Sequence, residues 1–214
     1  MFQKTIKSRC VVGWVGLLAM ACAPGNSNHV EPVDAVTTQQ NLDDDAIPLE
    51  GSPRKGSDDA EVTIVLASEF ECPFCSRVNP AITRIMKEYD GKVALVYKHN
   101  PLSFHKDAMA AAMAAEAAHR QGKFWQMYEL LFANQKQLKR ENYLAWAETL
   151  GLDVDEFEAD LDSADLAETI KRDQELVRSL GARGVPSFWI NGQHIVGAQP
   201  YSVLKSIIDK HLDT

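Results

Sequence analysis

Two short apolar segments on either side of an amphipathic helix constrain the fold of this chain more than any other feature of its sequence. Residues 62–67 and 93–98 are rich in β-branched and aliphatic side chains and have the length of buried strands. Between them, apolar residues recur at the spacing of one helix face: Val78, Ala81, Ile82, Ile85, Met86 and Tyr89. A strand, a crossover helix and a second strand form a parallel pair, so the sequence predicts an α/β sheet.

A block of helices interrupts this sheet unit. Helical apolar spacing runs from about residue 104 to residue 180. Residues 188–190 and 193–196 are short apolar segments joined by Asn191-Gly192, a strong signal for a β-hairpin. A last helix carries Val203, Leu204, Ile207 and Ile208. The predicted order is strand–helix–strand, a helical block, and then strand–strand–helix.

The N-terminus has the features of an export signal. Lys4, Lys7 and Arg9 precede the apolar residues 10–23, a run too short for a membrane-spanning helix, which needs roughly 20 residues. This pattern predicts a signal peptide at residues 1–21, with a short membrane anchor or a buried helix as the alternative.

The residues that follow the apolar run leave two modes of export open. Residues 18–22 resemble a bacterial lipoprotein box, with Cys22 as the lipidated residue, although Ala19 replaces the usual Leu. The chain is therefore expected outside the cytoplasm, in the periplasm or another extracytoplasmic space, either secreted or anchored as a lipoprotein. Such compartments are oxidising.

Charge and composition describe an acidic globular protein with a tail. The 214 residues include 22 Lys+Arg and 30 Asp+Glu, a net charge of −8, which argues against a general nucleic-acid binder. Residues 22–60 are acidic and poor in large apolar side chains, so we expect a flexible linker with a short edge strand at residues 47–49. The folded domain is expected at residues 61–212, as a monomer.

Two cysteines, Cys72 and Cys75, lie where the first strand meets the first helix. Pro73 suits the first position of that helix, which places Cys72 beside unpaired backbone N–H groups that favour an anion. The pKa of a thiol there falls below about 8.5, so Cys72 is the candidate nucleophile. Cys75 follows one turn later on the same face. It is expected to be more buried and to resolve a mixed disulfide.

Other uses of this cysteine pair have weaker support. A zinc site needs four ligands, and the sequence has no second Cys-x-x-Cys pair that would complete one. A structural disulfide would close a loop of only four residues, with little effect on the unfolded state. Binding of Cu(I) by the two thiolates, as in a periplasmic copper chaperone, is the main alternative; a redox-inert adaptor is another. The favoured interpretation is a redox-active pair that needs no cofactor and no metal.

These features together resemble a known family. Cys72-Pro73-Phe74-Cys75 at a strand–helix junction is similar to the thioredoxin-fold active site, and Val185-Pro186 is similar to the cis-proline loop of that fold. Pro80 resembles the proline that kinks the active-site helix. Helices fill the long interval between Cys75 and Pro186, as in the DsbA-like branch of secreted bacterial proteins.

The resemblance implies a fold, an activity and partners. The fold would be an α/β thioredoxin fold with an all-helical domain inserted at about residues 104–180, and the activity that of a protein thiol:disulfide oxidoreductase. Cys72 would be the nucleophile and Cys75 the resolving cysteine. The cis-Pro loop at Pro186 would support client binding by Val185, Phe74 and Pro73 through strand addition, with an ordinary trans turn as the alternative.

The implied partners are exported proteins with thiols or disulfides, and a membrane redox partner that recycles the cysteine pair. The sequence does not determine the direction of exchange; we favour an oxidase slightly over a reductase.

One position departs from the family pattern. Relatives often carry a buried carboxylate six residues before the first cysteine, where this chain has Leu66. Strand alternation places Glu69 and Glu71 on the opposite face from Leu66, so we expect them to be solvated surface acids. Water or Lys98 would then carry protons for Cys75.

Overall fold

The computed structural model describes residues 47–213. The predicted signal peptide at residues 1–21, Cys22 and the linker up to residue 46 lie outside these residues. The strands are β1 (Arg54–Lys55), β2 (Val62–Ser68), β3 (Val93–His99), β4 (Ser187–Ile190) and β5 (Gln193–Val196). The helices are α1 (Pro73–Glu88), α2 (Ala108–Arg120), α3 (Phe124–Ala133), α4 (Arg140–Thr149), α5 (Val154–Asp160), α6 (Ala164–Ser179) and α7 (Tyr201–Leu212).

The strands form one mixed sheet in the order β1-β3-β2-β4-β5. β2 and β3 pair in parallel across the α1 crossover, with Val62 opposite Val93. β4 lies antiparallel to β2, and β5 completes the predicted hairpin around Asn191-Gly192. Helices α2 to α6 come between β3 and β4, which confirms the thioredoxin fold with an inserted helical domain.

Helices cover both faces of the sheet. On one face, Leu66, Tyr97 and Phe188 pack with Cys75 and Ile82 of α1 in the main core. A smaller cluster on the other face contains side chains of the sheet and of α6: Val65, Ala67, Val96, Trp189 and Val177. A residue's place along β2 or β3 therefore decides whether its side chain can reach α1.

The described fold begins before residue 61, so the predicted linker boundary is wrong. Ile47 is buried in the cluster with Trp189 and Val177. The edge strand is β1, not residues 47–49, and it pairs antiparallel with β3, with Arg54 opposite Val96. The acidic composition of this segment hid these contacts because only a few of its side chains face the core.

Gly56 allows the chain to pass close to the backbone of β3 as it leaves β1. Its φ is +102°, and a Cβ at this position would lie 2.5 Å from the Val93 carbonyl oxygen. A residue with a side chain could not fit without moving the backbone of β3.

None of the helices within residues 47–213 combines the length and the apolar character that crossing a bilayer requires.

Candidate active site

The candidate active site lies at the junction of β2 and α1. β2 ends at Ser68, and a loop of residues 69–72 leads to Pro73 at the first turn of α1. Cys72 is the N-cap residue with an extended backbone, as expected. Both cysteines are free thiols. Cys72 is 3% exposed and Cys75 is fully buried, so the order of burial agrees with the prediction.

The two thiols differ strongly in acidity. The Cys75 thiol donates a hydrogen bond to the Cys72 sulfur and, together with the backbone N–H groups of Cys75 and Phe74, lowers the pKa of Cys72 to about 6, although burial opposes this change. Burial, and then the neighbouring Cys72, raise the pKa of Cys75. At neutral pH, Cys72 is therefore mostly a thiolate and Cys75 a thiol.

The loop before β4 faces the Cys72 sulfur. The Val185–Pro186 peptide bond is cis. The Val185 carbonyl oxygen lies 3.8 Å from Cys72 Sγ, a contact across 113 positions of sequence. The structure thus brings Cys72, Cys75, Val185 and Pro186 together, while their individual roles stay predictions.

Phe74 and Pro73 form the exposed rim of the site. Phe74 is 51% exposed. The Arg77 guanidinium lies 4.9 Å from the centre of the Phe74 ring, at the distance of a cation–π contact. Although the dipeptide between the cysteines has no positive charge, the next turn of α1 brings one to the rim.

Glu69 is buried, so its prediction as a solvated surface acid is wrong. Its carboxylate accepts a hydrogen bond from the Glu71 backbone N–H at 2.7 Å and also contacts His105 Nδ1. The alternation argument fails because β2 ends at Ser68, and the chain turns before it reaches Glu69. Leu66 lies in the core, as its side chain requires.

The inserted helical domain holds the loop before α1 through polar contacts that the sequence did not reveal. Gln135, between α3 and α4, donates hydrogen bonds to the carbonyl oxygens of Phe70 at 2.8 Å and Cys72 at 3.0 Å. The Asp107 backbone N–H donates to the Glu71 carboxylate at 2.7 Å. No motif predicts these pairings, because the partners are more than 30 positions apart in sequence.

Lys98 lies away from the cysteines. Its partner on β2 is Ala67, on the sheet face opposite Leu66 and Cys75, and its Nζ contacts the Asp173 carboxylate at 2.9 Å. The suggestion that Lys98 serves Cys75 is therefore wrong. His99, the next residue, pairs with Glu116 at 2.9 Å.

A thioredoxin-type sheet with an inserted helical domain and a Cys-x-x-Cys pair at the start of its first helix defines a DsbA-like class of redox protein. Comparison of sequences agrees with this classification. The sequence model of the thioredoxin family matches residues 49–210, and the chain belongs to that family.

Solved structures show the same fold. A thioredoxin-like oxidoreductase from Silicibacter pomeroyi DSS-3 is 26% identical, with a TM-score of 0.69 over 76% of this chain and 93% of its own. The thiol-disulfide exchange protein alpha-DsbA2 from Wolbachia pipientis is 22% identical, with a TM-score of 0.68 over 74% of this chain and 86% of its own. These similarities confirm the DsbA-like fold, and the first of the two structures is described as an oxidoreductase.

Curated relatives match this chain over only part of their length. The Na(+)/H(+) antiporter NhaA 3 from Salinispora tropica is 38% identical over 150 residues, which are 70% of this chain and 22% of the antiporter. The chain therefore spans less than a quarter of that relative, and the name of the whole antiporter says nothing about the activity of this segment.

Proposed function

We propose that this protein is an extracytoplasmic thiol:disulfide oxidoreductase that acts as a disulfide donor to exported proteins. The observation that carries the proposal is the unequal pair of thiols at the start of α1. A thiolate favoured at Cys72, with a pKa of about 6, stabilises the reduced form. Stabilising the reduced form makes the corresponding disulfide a stronger oxidant.

The exchange proceeds in two steps. A client thiolate attacks Cys72 of the disulfide form, a bond forms between the client sulfur and Cys72, and Cys75 leaves as a thiolate that takes up a proton. The second client thiolate then attacks the client sulfur of this mixed disulfide and releases the Cys72 thiolate. The client loses two electrons to the cysteine pair, and a membrane redox partner would remove them again.

The rim gives an extended client segment a place to bind. The backbone of Val185 beside Cys72 can pair with an extended chain, while Phe74 and Pro73 offer apolar contact. In this proposal the protein acts on its clients as a monomer, which is either secreted or held at a membrane by a lipid on Cys22.

The reduction potential of the Cys72–Cys75 pair tests the proposal. In glutathione buffers, a disulfide donor should titrate near about −120 mV, whereas a reductase should titrate near about −270 mV. This difference of about 150 mV corresponds to roughly 7 kcal/mol for two electrons. A pair that does not titrate reversibly, in a reduced chain that binds one Cu(I), would overturn the proposal in favour of a copper-binding protein.

A further inference from the structure

Disulfide exchange requires the buried Cys75 to lose and regain a proton. Its thiol is fully buried and burial raises its pKa, so it carries its proton at neutral pH. Yet the thiolate is the form of Cys75 that attacks or leaves in disulfide exchange. Each exchange must therefore move a proton on or off a sulfur that water does not reach, and Leu66 offers no group that could accept it.

Glu69 is a buried acid in the loop that contacts this sulfur through its backbone. The Ser68 hydroxyl and the Glu69 backbone N–H both hydrogen-bond the Cys75 sulfur and oppose the rise of its pKa. The Glu69 carboxylate is fully excluded from solvent. Burial raises the pKa of Glu69, which brings this group closer to the pH at which it can both accept and return a proton.

His105 connects this closed carboxylate with the outside. Its Nδ1 contacts the Glu69 carboxylate, and 20% of its side chain is exposed. His105 lies in the loop before α2, next to Phe104, which is 76% exposed. The pair thus begins in the buried loop that contacts the Cys75 sulfur and ends at the surface, as a proton route requires.

The neighbouring titratable groups are less suited to transfer this proton. Cys72 at the N-cap of α1, Tyr97 on β3 and Glu71 in the same loop interact with Glu69, and Tyr128 on α3 interacts with Cys75. Burial raises the pKa of both tyrosines, so they keep their protons at neutral pH. Cys72 is bonded to the client in the mixed disulfide, and Glu71 is held by the Asp107 backbone.

We propose that the Glu69–His105 pair is the proton-transfer group of the Cys72–Cys75 site, a role that rests on the proposed thiol–disulfide exchange. When Cys75 attacks a mixed disulfide on Cys72, its S–H bond breaks and the proton passes to the Glu69 carboxylate. The Cys72–Cys75 bond forms, the Cys72–client bond breaks, and the client leaves as a thiolate. The cysteine pair loses two electrons and the client disulfide gains them.

The Glu69–His105 pair also transfers the proton when exchange runs in the opposite direction. When a client thiolate opens the Cys72–Cys75 disulfide, Cys75 leaves as a thiolate and the Glu69 carboxyl returns the proton. His105 exchanges that proton with solvent in both directions. The proposal therefore holds for an oxidase and for a reductase.

Rapid mixing of the reduced protein with dithiobisnitrobenzoate separates the two thiols. Cys72 attacks first and releases one thionitrobenzoate at a rate that depends on reagent concentration. Cys75 then resolves the mixed disulfide and releases the second at a rate that does not. We expect Glu69→Gln to slow the second phase at least about tenfold, because it removes a proton acceptor. The first phase should stay equal or become faster, since a buried negative charge near Cys72 is lost.

Two variants separate proton transfer from structure. Glu69→Asp keeps a carboxylate and should recover part of the second phase. Glu116→Gln is the matched control because Glu116 is also a buried carboxylate paired with a histidine, His99. It should leave both phases as in the wild type. Equal slowing of both phases in Glu69→Gln, or no recovery in Glu69→Asp, would overturn the proposal.

His105→Asn tests the outer half of the route. Asparagine can hydrogen-bond Glu69 but cannot pass a proton on, so the second phase should slow. A second phase as fast as in the wild type would exclude His105 from the route. If the wild type itself releases a single thionitrobenzoate, the proposed exchange function fails, whatever Glu69 does.

Discussion

At the residue scale, a hydrogen bond between the two thiols sets the acidity of Cys72. We expect Cys72 to titrate at about pH 6 while Cys75 stays protonated. Cys75→Ala removes the donor that lowers the Cys72 pKa most, so the midpoint should rise. Cys75→Ser keeps a donor and should retain a lower midpoint. The ultraviolet absorbance of the thiolate during a pH titration measures both, and identical midpoints in the two variants would contradict this account.

The same thiolate makes the stability of the reduced protein depend on pH. The pKa of Cys72 is about 6 in the folded chain and about 8.5 in an unfolded one. Its contribution to the free energy of unfolding is fully present above the unfolded value and is lost as the pH falls through 6. We expect the difference in this free energy between the reduced wild type and reduced Cys72→Ala to grow from pH 5 to pH 8. Urea unfolding measures it, and a constant difference would be evidence against a thiolate at Cys72.

At the element scale, the inserted helical domain positions the loop before α1. Gln135→Ala removes the hydrogen bonds to Phe70 and Cys72, at about 0.5–1.5 kcal/mol each. We expect a loss of about 1–3 kcal/mol in the free energy of unfolding, measured with urea. Gln137→Ala is the matched control, since Gln137 is exposed in the same short 3₁₀ turn, Gln135–Gln137. Equal losses in both variants would show that Gln135 does not hold the loop.

The turn after β1 gives a second test at this scale. Gly56→Ala would place a Cβ 2.5 Å from the Val93 carbonyl oxygen and 3.0 Å from the Ala94 Cα. Gly51→Ala shares the positive φ, +68°, but meets no atom within 4 Å. We expect Gly51→Ala to cost about 1–2 kcal/mol for its backbone alone and Gly56→Ala clearly more. Equal unfolding midpoints would mean that β1 does not lie close to β3 in solution.

At the scale of the whole molecule, residues 47–60 complete the sheet. A variant that begins at residue 61 loses β1 and the burial of Ile47, which stabilises by about 1.5–3 kcal/mol, and it leaves β3 as an open edge. We expect a lower melting temperature and aggregation that increases with protein concentration. A variant that begins at residue 47 keeps these contacts and should melt at a higher temperature; equal melting temperatures for the two truncations would refute the role of this segment.

Local sequence patterns predicted the central strands of the fold but not its edge strand or the polar contacts around the site. Residues 62–67 and 93–98 match β2 and β3 to within one residue because strand length and apolar periodicity are local properties. The burial of Glu69 could not be predicted in the same way, since it depends on where β2 ends and on His105. β1 and Gln135 were missed for a related reason: their partners are distant in sequence, and polar pairings leave no periodic signal.

The close approach of Cys75 to Cys72 also protects the protein from oxidative damage. A thiolate at neutral pH is the form that peroxides convert to sulfenic acid. Here the Cys75 thiol can condense with that sulfenic acid, so that water leaves and the Cys72–Cys75 disulfide forms. In the proposed disulfide donor this disulfide is the working form, so reaction with peroxide would regenerate that form rather than inactivate the protein.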